Sequence, residues 1–346
     1  MKIVGIGGGT GLPVLLRGLK QLNDSGEEKI DITAIVTVSD NGGSTGVLRG
    51  AFDMPAMGDI RNSIISLSPA DSVLAAVCQH RFYGANGFAG HSVGNLVLAA
   101  MYEMAGGFAD AVRLACELFE IDGRVLPATE IPVHLTAVYD DGVISEGETN
   151  IPRSDAKLDR VWLSPADPPA GPGVLDALME ADAIVLGPGS LYTSIVPNLL
   201  VGGVAEAIAE SRAIKIYVCN LMTQTGETCG YSAGDHLRAV QSYLPPDAID
   251  LCVVNIETIG TGVAERYLGS GSDIVGFDPT VDEDIRRTGV IPAAAPLLKA
   301  GEVKARHDSV ALARLVVSLA RGVNGSHDIT VRRMEREVTC AESLDI

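Results

Sequence analysis

The stretch Lys2-Ile3-Val4-Gly5-Ile6-Gly7-Gly8-Gly9-Thr10-Gly11-Leu12 is a short apolar run that breaks into glycines and then into a helix-forming segment. Residues 3–6 predict a buried strand, and residues 12–22 predict a helix. Glycines let the main chain take positive φ and approach a ligand closely. The free N–H groups and the dipole at a helix start favour an anion. The stretch therefore predicts a strand, a phosphate-binding loop and a helix, although a tight turn without a ligand is the alternative.

The glycine loop fits neither standard phosphate-binding fingerprint. A P-loop needs a lysine directly after its last glycine, and no lysine follows here until Lys20. A dinucleotide loop needs Gly-x-Gly-x-x-Gly, and counting from Gly5 or from Gly7 places Thr10 or Leu12 at the last glycine. These mismatches disfavour P-loop enzymes and enzymes that use NAD(P).

The composition limits the classes of function. The chain has 346 residues, 47% of them hydrophobic, and a net charge of −18. This length suffices for a large core, whereas the acidic balance argues against nucleic-acid binding. An anionic ligand must then be held by backbone N–H groups, by a few arginines or by a cation. The six cysteines contain no Cys-x-x-Cys pair, which argues against a zinc site and a disulfide framework.

The uncharged run over residues 183–205 is long enough to suggest a membrane span. It contains Pro188, Pro197 and four glycines, so a continuous spanning helix is not expected. The N-terminal residues also lack the apolar core of a signal peptide. We expect a soluble, cytoplasmic protein without membrane insertion.

Strand-like apolar runs alternate with helix-like segments along most of the chain, which predicts an α/β, Rossmann-like parallel sheet with helices on both faces. An inserted β element is expected at about residues 125–165, with a hairpin around Asp141-Gly142. Residues 1–325 would form one domain, and residues 326–346 a peripheral tail. The expected strands cover residues 3–6, 32–38, 183–186, 213–219 and 249–254, and the expected helices 71–80, 95–104, 108–119, 174–181, 204–211, 233–243 and 309–320.

Small polar and glycine-rich loops follow the expected strands, at the edge where ligands bind in such sheets. Asp40-Asn41-Gly42-Gly43-Ser44 follows the second strand. Asp40 is a candidate for holding a ribose hydroxyl or a divalent cation. A glycine turn with an Asx cap is the alternative.

Two further segments carry candidate charged side chains. In residues 58–62, Asp59 is expected to cap a helix, and Arg61 to bind a phosphate or to pair with Asp40. In residues 90–95, Ser92 is expected to cap a helix, and His91 to act as a general acid or base or to donate to a phosphate. We interpret His80 as a structural histidine.

A second anion-binding candidate is Gly187-Pro188-Gly189-Ser190-Leu191-Tyr192-Thr193-Ser194. Ser190 is expected to cap a helix, with the hydroxyls of Thr193 and Ser194 on its first turn. Gly-x-Ser-x-Gly is not satisfied, which excludes a hydrolase elbow. The amides and hydroxyls of residues 223–228, with Tyr231, Asp235 and His236, either read a base or sugar edge or form a solvated loop.

Taken together, these segments resemble the YvcK/CofD-like family over roughly residues 1–320. Within it, they are similar to the bacterial gluconeogenesis-factor branch, whose sister branch is the 2-phospho-L-lactate transferases of deazaflavin cofactor F420 synthesis. Asn41 stands where many relatives carry an acid, which removes one cation ligand and favours nucleotide binding over metal-dependent catalysis. The similar segments are residues 6–12, 36–49, 58–62, 90–95, 186–200, 220–228, 230–236 and 306–308.

The resemblance implies a protein that binds a nucleotide-sugar such as a UDP-sugar, regulates central carbon use and cell shape, and forms a homo-oligomer, a dimer. The alternative is a transferase that moves a phospholactyl-type group from a nucleotide diphosphate donor to a deazaflavin. In that case Asp40 and Asp59 would hold Mg²⁺, and Arg61 or His91 would stabilise the attacked phosphoryl group. The expected ligand-binding residues are Gly8, Gly9, Thr10, Gly11, Leu12, Asp40, Asn41, Gly42, Gly43, Ser44, Asn95, Gly187, Pro188, Gly189, Ser190, Thr193, Ser194, Asn220, Thr223 and Gln224.

Overall fold

A computed structural model describes residues 1–84, 87–152, 156–259, 271–302 and 304–322, so the predicted tail at residues 326–346 lies outside the described residues. The strands are β1 (Lys2–Gly7), β2 (Asp31–Val36), β3 (Arg124–Pro127), β4 (His134–Tyr139), β5 (Ile144–Glu146), β6 (Leu158–Ser164), β7 (Ala183–Leu186), β8 (Ile214–Val218), β9 (Leu251–Asn255) and β10 (Ile291–Ala295). The helices are α1 (Leu12–Asp24), α2 (Gly43–Phe52), α3 (Gly58–Leu67), α4 (Val73–Gln79), α5 (Val93–Ala105), α6 (Phe108–Leu118), α7 (Val174–Met179), α8 (Val196–Leu199), α9 (Val204–Glu210), α10 (Ala233–Gln241), α11 (Pro279–Arg287) and α12 (Ser309–Ala320).

Seven of these strands form one parallel sheet in the order β10-β9-β8-β7-β1-β2-β3, and helices flank it. The other three strands form a small antiparallel sheet in the order β5-β4-β6. The central strands are apolar along their whole length because a parallel sheet covered by helices is buried on both faces. Ile3, Val4 and Ile6 of β1 illustrate this, since each is at most 2% exposed.

The strand order reverses at β1. The chain runs outward from β1 through β2 to β3, and then returns to place β7 on the other side of β1. Ile6 pairs with Ile35 of β2 and with Leu186 of β7, so all three strands reach the same level of the sheet. Their carboxyl ends therefore open into one crevice, which is the position of ligand sites in doubly wound sheets.

The model confirms the predicted α/β class, the parallel sheet with its helices and the hairpin around Asp141-Gly142. Sequence analysis missed β3 and β10, the two edge strands of the large sheet. Both contain a proline (Pro127 and Pro292), and β10 contains three alanines, so their apolar strand signal is weak. β3 falls inside the range of the predicted insertion but pairs with β2, so the antiparallel element begins after it. Within the described residues, none of the helices combines the length and apolar character needed to span a bilayer.

Gly18 allows α1 to pack closely against the start of α12. A Cβ at this buried position would lie 1.9 Å from the carbonyl oxygen of Ser309. Gly50 in α2 is exposed, and a Cβ there would meet nothing within 4 Å. The two helical glycines therefore form a matched pair.

We predict opposite effects of alanine at these two positions. Gly18→Ala should lower the free energy of unfolding by about 1–3 kcal/mol because the helices must move apart. Gly50→Ala should raise it by up to about 1 kcal/mol because alanine restricts the unfolded chain. Urea denaturation of both variants measures this, and equal effects would contradict the proposed packing.

Candidate functional site

The largest described cavity lies at the carboxyl ends of the strands beside the strand-order reversal. Its volume is about 550 Å³. Its wall comes from the loops after β1, β7 and β8 and from the segment before α12, which includes Lys304, Arg306 and His307. The predicted site residues on this wall are Gly9, Thr10, Gly11, Pro188, Gly189, Ser190, Ser194, Asn220, Thr223 and Gln224.

The loops after β1 and β7 are in direct backbone contact. A Cβ on Gly11 would lie 2.2 Å from the carbonyl oxygen of Pro188 and 2.7 Å from the Cα of Gly189. Gly11 is thus required for loop packing. Gly9, by contrast, needs its glycine for a positive φ of 61°, and a Cβ there would lie 3.1 Å from the hydroxyl of Ser194. Leu12 is fully buried, so only its backbone is available to a ligand.

Buried polar groups hold these two loops. The side-chain amide of Asn198 donates to the carbonyl of Gly7 at 3.3 Å and to that of Ser194 at 2.8 Å. From the other side, the amide of Asn62 donates to the carbonyl of Gly9 at 3.3 Å. The loop backbones are therefore fixed before any ligand binds.

The predicted capping role of Ser190 is wrong. Its hydroxyl makes no cap bond to the π-helical turn Leu191–Ile195 and instead accepts from Nε2 of Gln224 at 2.7 Å. Thr193 is 4% exposed and lies against the carboxyl of Glu227 rather than on the cavity wall. Thr223 pairs through its backbone and hydroxyl with Asp273. The loop after β7 is thus held mainly by protein groups.

Glu227 is a buried acid on the wall of the first cavity. Burial raises its pKa to about 7, against the opposing effects of the Tyr192 N–H and the Thr193 hydroxyl. Sequence analysis named Glu227 only as part of a polar segment, because burial of an acid in a loop leaves no pattern in the sequence.

A second cavity of about 260 Å³ lies under the loop after β2. It brings together most of the other predicted residues, namely Asp40, Gly42, Gly43, Ser44, Asp59, Arg61 and Asn95. Asp40 accepts from the N–H of Gly42 at 2.7 Å, which is the Asx turn weighed as an alternative. Asn41 lies beside the small sheet, where it accepts from the N–H of Thr149 at 3.0 Å.

Asp59 does not cap α3, contrary to the prediction, because Met57 occupies the N-cap position. Its carboxyl lies against the loop after β1 instead, and a Cβ on Gly8 would be 2.5 Å from its Oδ2. Burial raises the pKa of Asp59 to about 7. Asp40 acts in the same direction, whereas the Gly9 N–H and Arg61 oppose the increase. Asp59 therefore connects the first glycine loop with the second cavity.

Arg61 forms no ion pair with Asp40, contrary to one expectation. Its guanidinium donates to Ser92 Oγ, to Asn95 Oδ1 at 2.6 Å and to Asn62 Oδ1 at 2.9 Å. Burial lowers its pKa from the ordinary value, with Arg81 acting in the same direction. Three neutral partners thus hold a positive charge at the second cavity.

Histidines and helix caps near the site have mixed outcomes. Ser92 caps α5 as predicted, accepting from the Asn95 N–H at 3.2 Å. His91 contacts the hydroxyl of Ser44 through Nδ1 at 3.0 Å. His80 is exposed and packs against Phe82 and Tyr83, so it is not a buried structural histidine.

The other predicted rim residues lie away from both cavity walls. Asp235 forms a capping box with Ser232 at the start of α10. His236 is fully buried, and Tyr231 pairs its hydroxyl with that of Tyr192 at 2.9 Å. These residues stabilise the fold behind the loop after β8.

The acids of the second cavity fit a divalent cation in part. Burial raises the pKa of Glu148 to about 9, with Asp40, Asp59 and Glu227 acting in the same direction and Arg49 against it. Among the described residues there is no group of three acids, histidines or cysteines placed to hold a metal ion. Mg²⁺, however, is often held by one or two carboxylates together with ligand phosphates. Asp40 and Asp59 fit that arrangement.

The chain is similar to characterised sequences and structures over most of its length. Residues 3–298 match the family model described as 2-phospho-L-lactate transferase CofD. The chain is 44% identical to the putative gluconeogenesis factor of Thermotoga maritima, over 93% of this chain and 100% of that one. It is 41% identical to the gluconeogenesis factor of Bacillus subtilis, over 92% and 98% of the two chains. The crystal structure of a Bacillus halodurans protein, a member of the upf0052 family, matches with a TM-score of 0.86 and 40% identity, over 91% and 99% of the two chains.

We predict that Asp59→Asn stabilises the protein more at pH 8 than at pH 5. With a folded-state pKa of about 7, the folded chain binds more protons than the unfolded chain between about pH 4 and pH 7. The contribution of Asp59 to stability therefore falls as the pH rises through this range. At pH 8 the gain in free energy of unfolding should be on the order of 2–4 kcal/mol. Urea denaturation at both pH values, with the exposed Asp71→Asn as control, would contradict this if the gain were the same at each pH.

Proposed function

The chain belongs to the CofD family, and we propose that it is a regulatory protein that binds a nucleotide-sugar, specifically a UDP-sugar. The observation that carries this proposal is the cavity of about 550 Å³ at the strand-order reversal, lined by the first glycine loop. A cavity of this size and position is typical of nucleotide sites in doubly wound sheets.

The chemistry of the cavity supports an anionic ligand in an acidic protein. Helix α1 has no acidic residue in its first turn and no side-chain cap, so its N-terminal dipole is available to a phosphate. Lys304 and Arg306 add positive charge at the wall. We propose that the diphosphate lies against residues 9–11 and 188–190, near these two side chains.

The names of the relatives support a regulatory role in carbon metabolism. The Thermotoga maritima and Bacillus subtilis proteins are called gluconeogenesis factors, and they match this chain over nearly its whole length. We propose that this protein acts in gluconeogenic carbon metabolism and in cell shape, in the cytoplasm and as a homodimer.

The second cavity favours one other candidate, a CofD-like transferase. Asp40, Asp59 and Arg61 line this cavity, directly behind the first glycine loop. In that case Asp40 and Asp59 would hold Mg²⁺, which would neutralise charge on a nucleotide diphosphate donor of a phospholactyl-type group. Arg61 would orient the attacked phosphoryl group, and a deazaflavin would be the acceptor.

Calorimetry separates the two candidates. We expect the wild-type protein to bind UDP-glucose more tightly than GDP, and to form no product when a phospholactyl nucleotide, a deazaflavin and Mg²⁺ are added. Formation of the phospholactyl deazaflavin would contradict the regulatory role. The absence of binding to any UDP-sugar would contradict the proposed ligand.

We predict that Gly9→Val abolishes binding of UDP-glucose while the fold is retained. Valine at a φ of 61° is strained, and its side chain would enter the space next to Ser194. Gly26→Val is the matched control, since its φ is 73° and a Cβ there meets nothing within 4 Å. Calorimetry and circular dichroism of both variants measure the effect. Undiminished affinity in the first variant would show that the loop is only a turn.

A further inference from the structure

Three side chains on the wall of the first cavity each have a buried polar atom without a hydrogen-bond partner among the described residues. These atoms are Oε1 of Gln224, Oε2 of Glu227 and Nε2 of His307. Buried polar atoms in folded proteins are nearly always paired, and an unpaired one costs about 1–3 kcal/mol. Three such atoms around one cavity therefore indicate that a ligand supplies their partners.

Gln224 presents an acceptor. Its Nε2 donates to the hydroxyl of Ser190 at 2.7 Å, which fixes the orientation of the amide. The remaining atom, Oε1, is a carbonyl oxygen that accepts hydrogen bonds and donates none.

Glu227 presents a second acceptor. Its side chain is 6% exposed, and the Tyr192 N–H and the Thr193 hydroxyl act on its carboxylate. These two donors account for one side of the carboxylate, and Oε2 has no partner among the described residues. An ionised carboxylate oxygen only accepts hydrogen bonds.

His307 presents a third acceptor. Burial lowers its pKa to about 4, so the ring is neutral at pH 7, although a hydrogen bond with the backbone of Cys219 opposes this decrease. A neutral imidazole that donates from one nitrogen to a carbonyl has a lone pair on the other. That other nitrogen is Nε2, which lacks a partner within the described ranges.

We infer that Gln224, Glu227 and His307 form an acceptor wall that recognises the sugar hydroxyls of the nucleotide-sugar and not its phosphates. This inference rests on the proposed function. Ionised phosphate groups offer no donors at neutral pH, so they leave the acceptor wall unpaired. Uracil offers one ring N–H, whereas a hexose offers several hydroxyls. Only the sugar therefore supplies a donor for each of the three acceptors.

The acceptor wall also explains how the cavity distinguishes two ends of one ligand. The loop of residues 9–11, Lys304 and Arg306 provide hydrogen-bond donors and positive charge. The acceptor wall provides lone pairs and the charge of Glu227. A diphosphate is attracted to the first set and repelled by the second, so the ligand binds in one orientation.

Glu227→Gln tests the acceptor wall directly. The Tyr192 N–H and the Thr193 hydroxyl will hold the amide oxygen, so the NH₂ group will take the position of Oε2 and replace an acceptor by a donor. At pH 8 we expect UDP-glucose to bind about tenfold more weakly or worse, and UDP to bind as it does to the wild type. Glu210→Gln, at the exposed end of α9, is the matched control and should leave both affinities unchanged.

A second measurement needs no variant. UDP-glucose analogues that lack one sugar hydroxyl should bind the wild-type protein more weakly, and at least one of them by about tenfold, because an acceptor then stays unpaired.

The outcomes separate the inference from the proposed function. If the wild-type protein binds neither UDP nor UDP-glucose, the proposed function fails. If it binds both equally well, or if every deoxy analogue binds like UDP-glucose, the acceptor wall does not read the sugar while the nucleotide site remains. Equal weakening of UDP and UDP-glucose in Glu227→Gln would assign Glu227 to the base or to the loop, and would overturn the inference.

Discussion

The cavity depends on the backbone contact between the two glycine loops on either side of the strand-order reversal. Gly11 lies against the carbonyl of Pro188 so closely that even a methyl group does not fit between them. Asn198 joins the same two loops through the carbonyls of Gly7 and Ser194. With the loops in contact, α1 begins at the edge of the cavity and its N-terminal dipole points into it. Separating the loops would remove both the shape and the field of the site.

The second constraint is electrostatic. The chain carries a net charge of −18, and the raised pKa values of Asp59, Glu148 and Glu227 show that buried acids surround the strand ends. A site for a phosphorylated ligand in such a protein cannot rely on a general positive field. It relies on backbone N–H groups and on Lys304 and Arg306, which act over short distances. The buried acids then serve the neutral part of the ligand, or a cation, rather than its phosphates.

The sequence predicted the frame of the sheet because its central strands are long apolar runs joined by clear helices. β1 and β7 were visible in this way, and so was the hairpin at Asp141-Gly142. The edge strands β3 and β10 were not, because an edge strand with a proline has little apolar periodicity. The strand-end loops were predicted as a group from their glycines and hydroxyls, and the model places them around two neighbouring cavities.

Individual roles in the site were less predictable than its location. Ser190 and Asp59 have the residue types of helix caps, but their partners, Gln224 and the backbone of residues 8–9, come from other parts of the chain. Lys304 and His307 join the cavity from the segment before α12, which no local motif indicates. Tertiary contacts of this kind have no sequence spacing from which to be read.

The most direct test of this account is a crystal structure of the protein grown with UDP-glucose. The account predicts the diphosphate against residues 9–11 and 188–190, with Lys304 and Arg306 beside it and the hexose hydroxyls on Gln224, Glu227 and His307. A nucleotide bound outside this cavity, or a diphosphate in contact with Glu227, would contradict it.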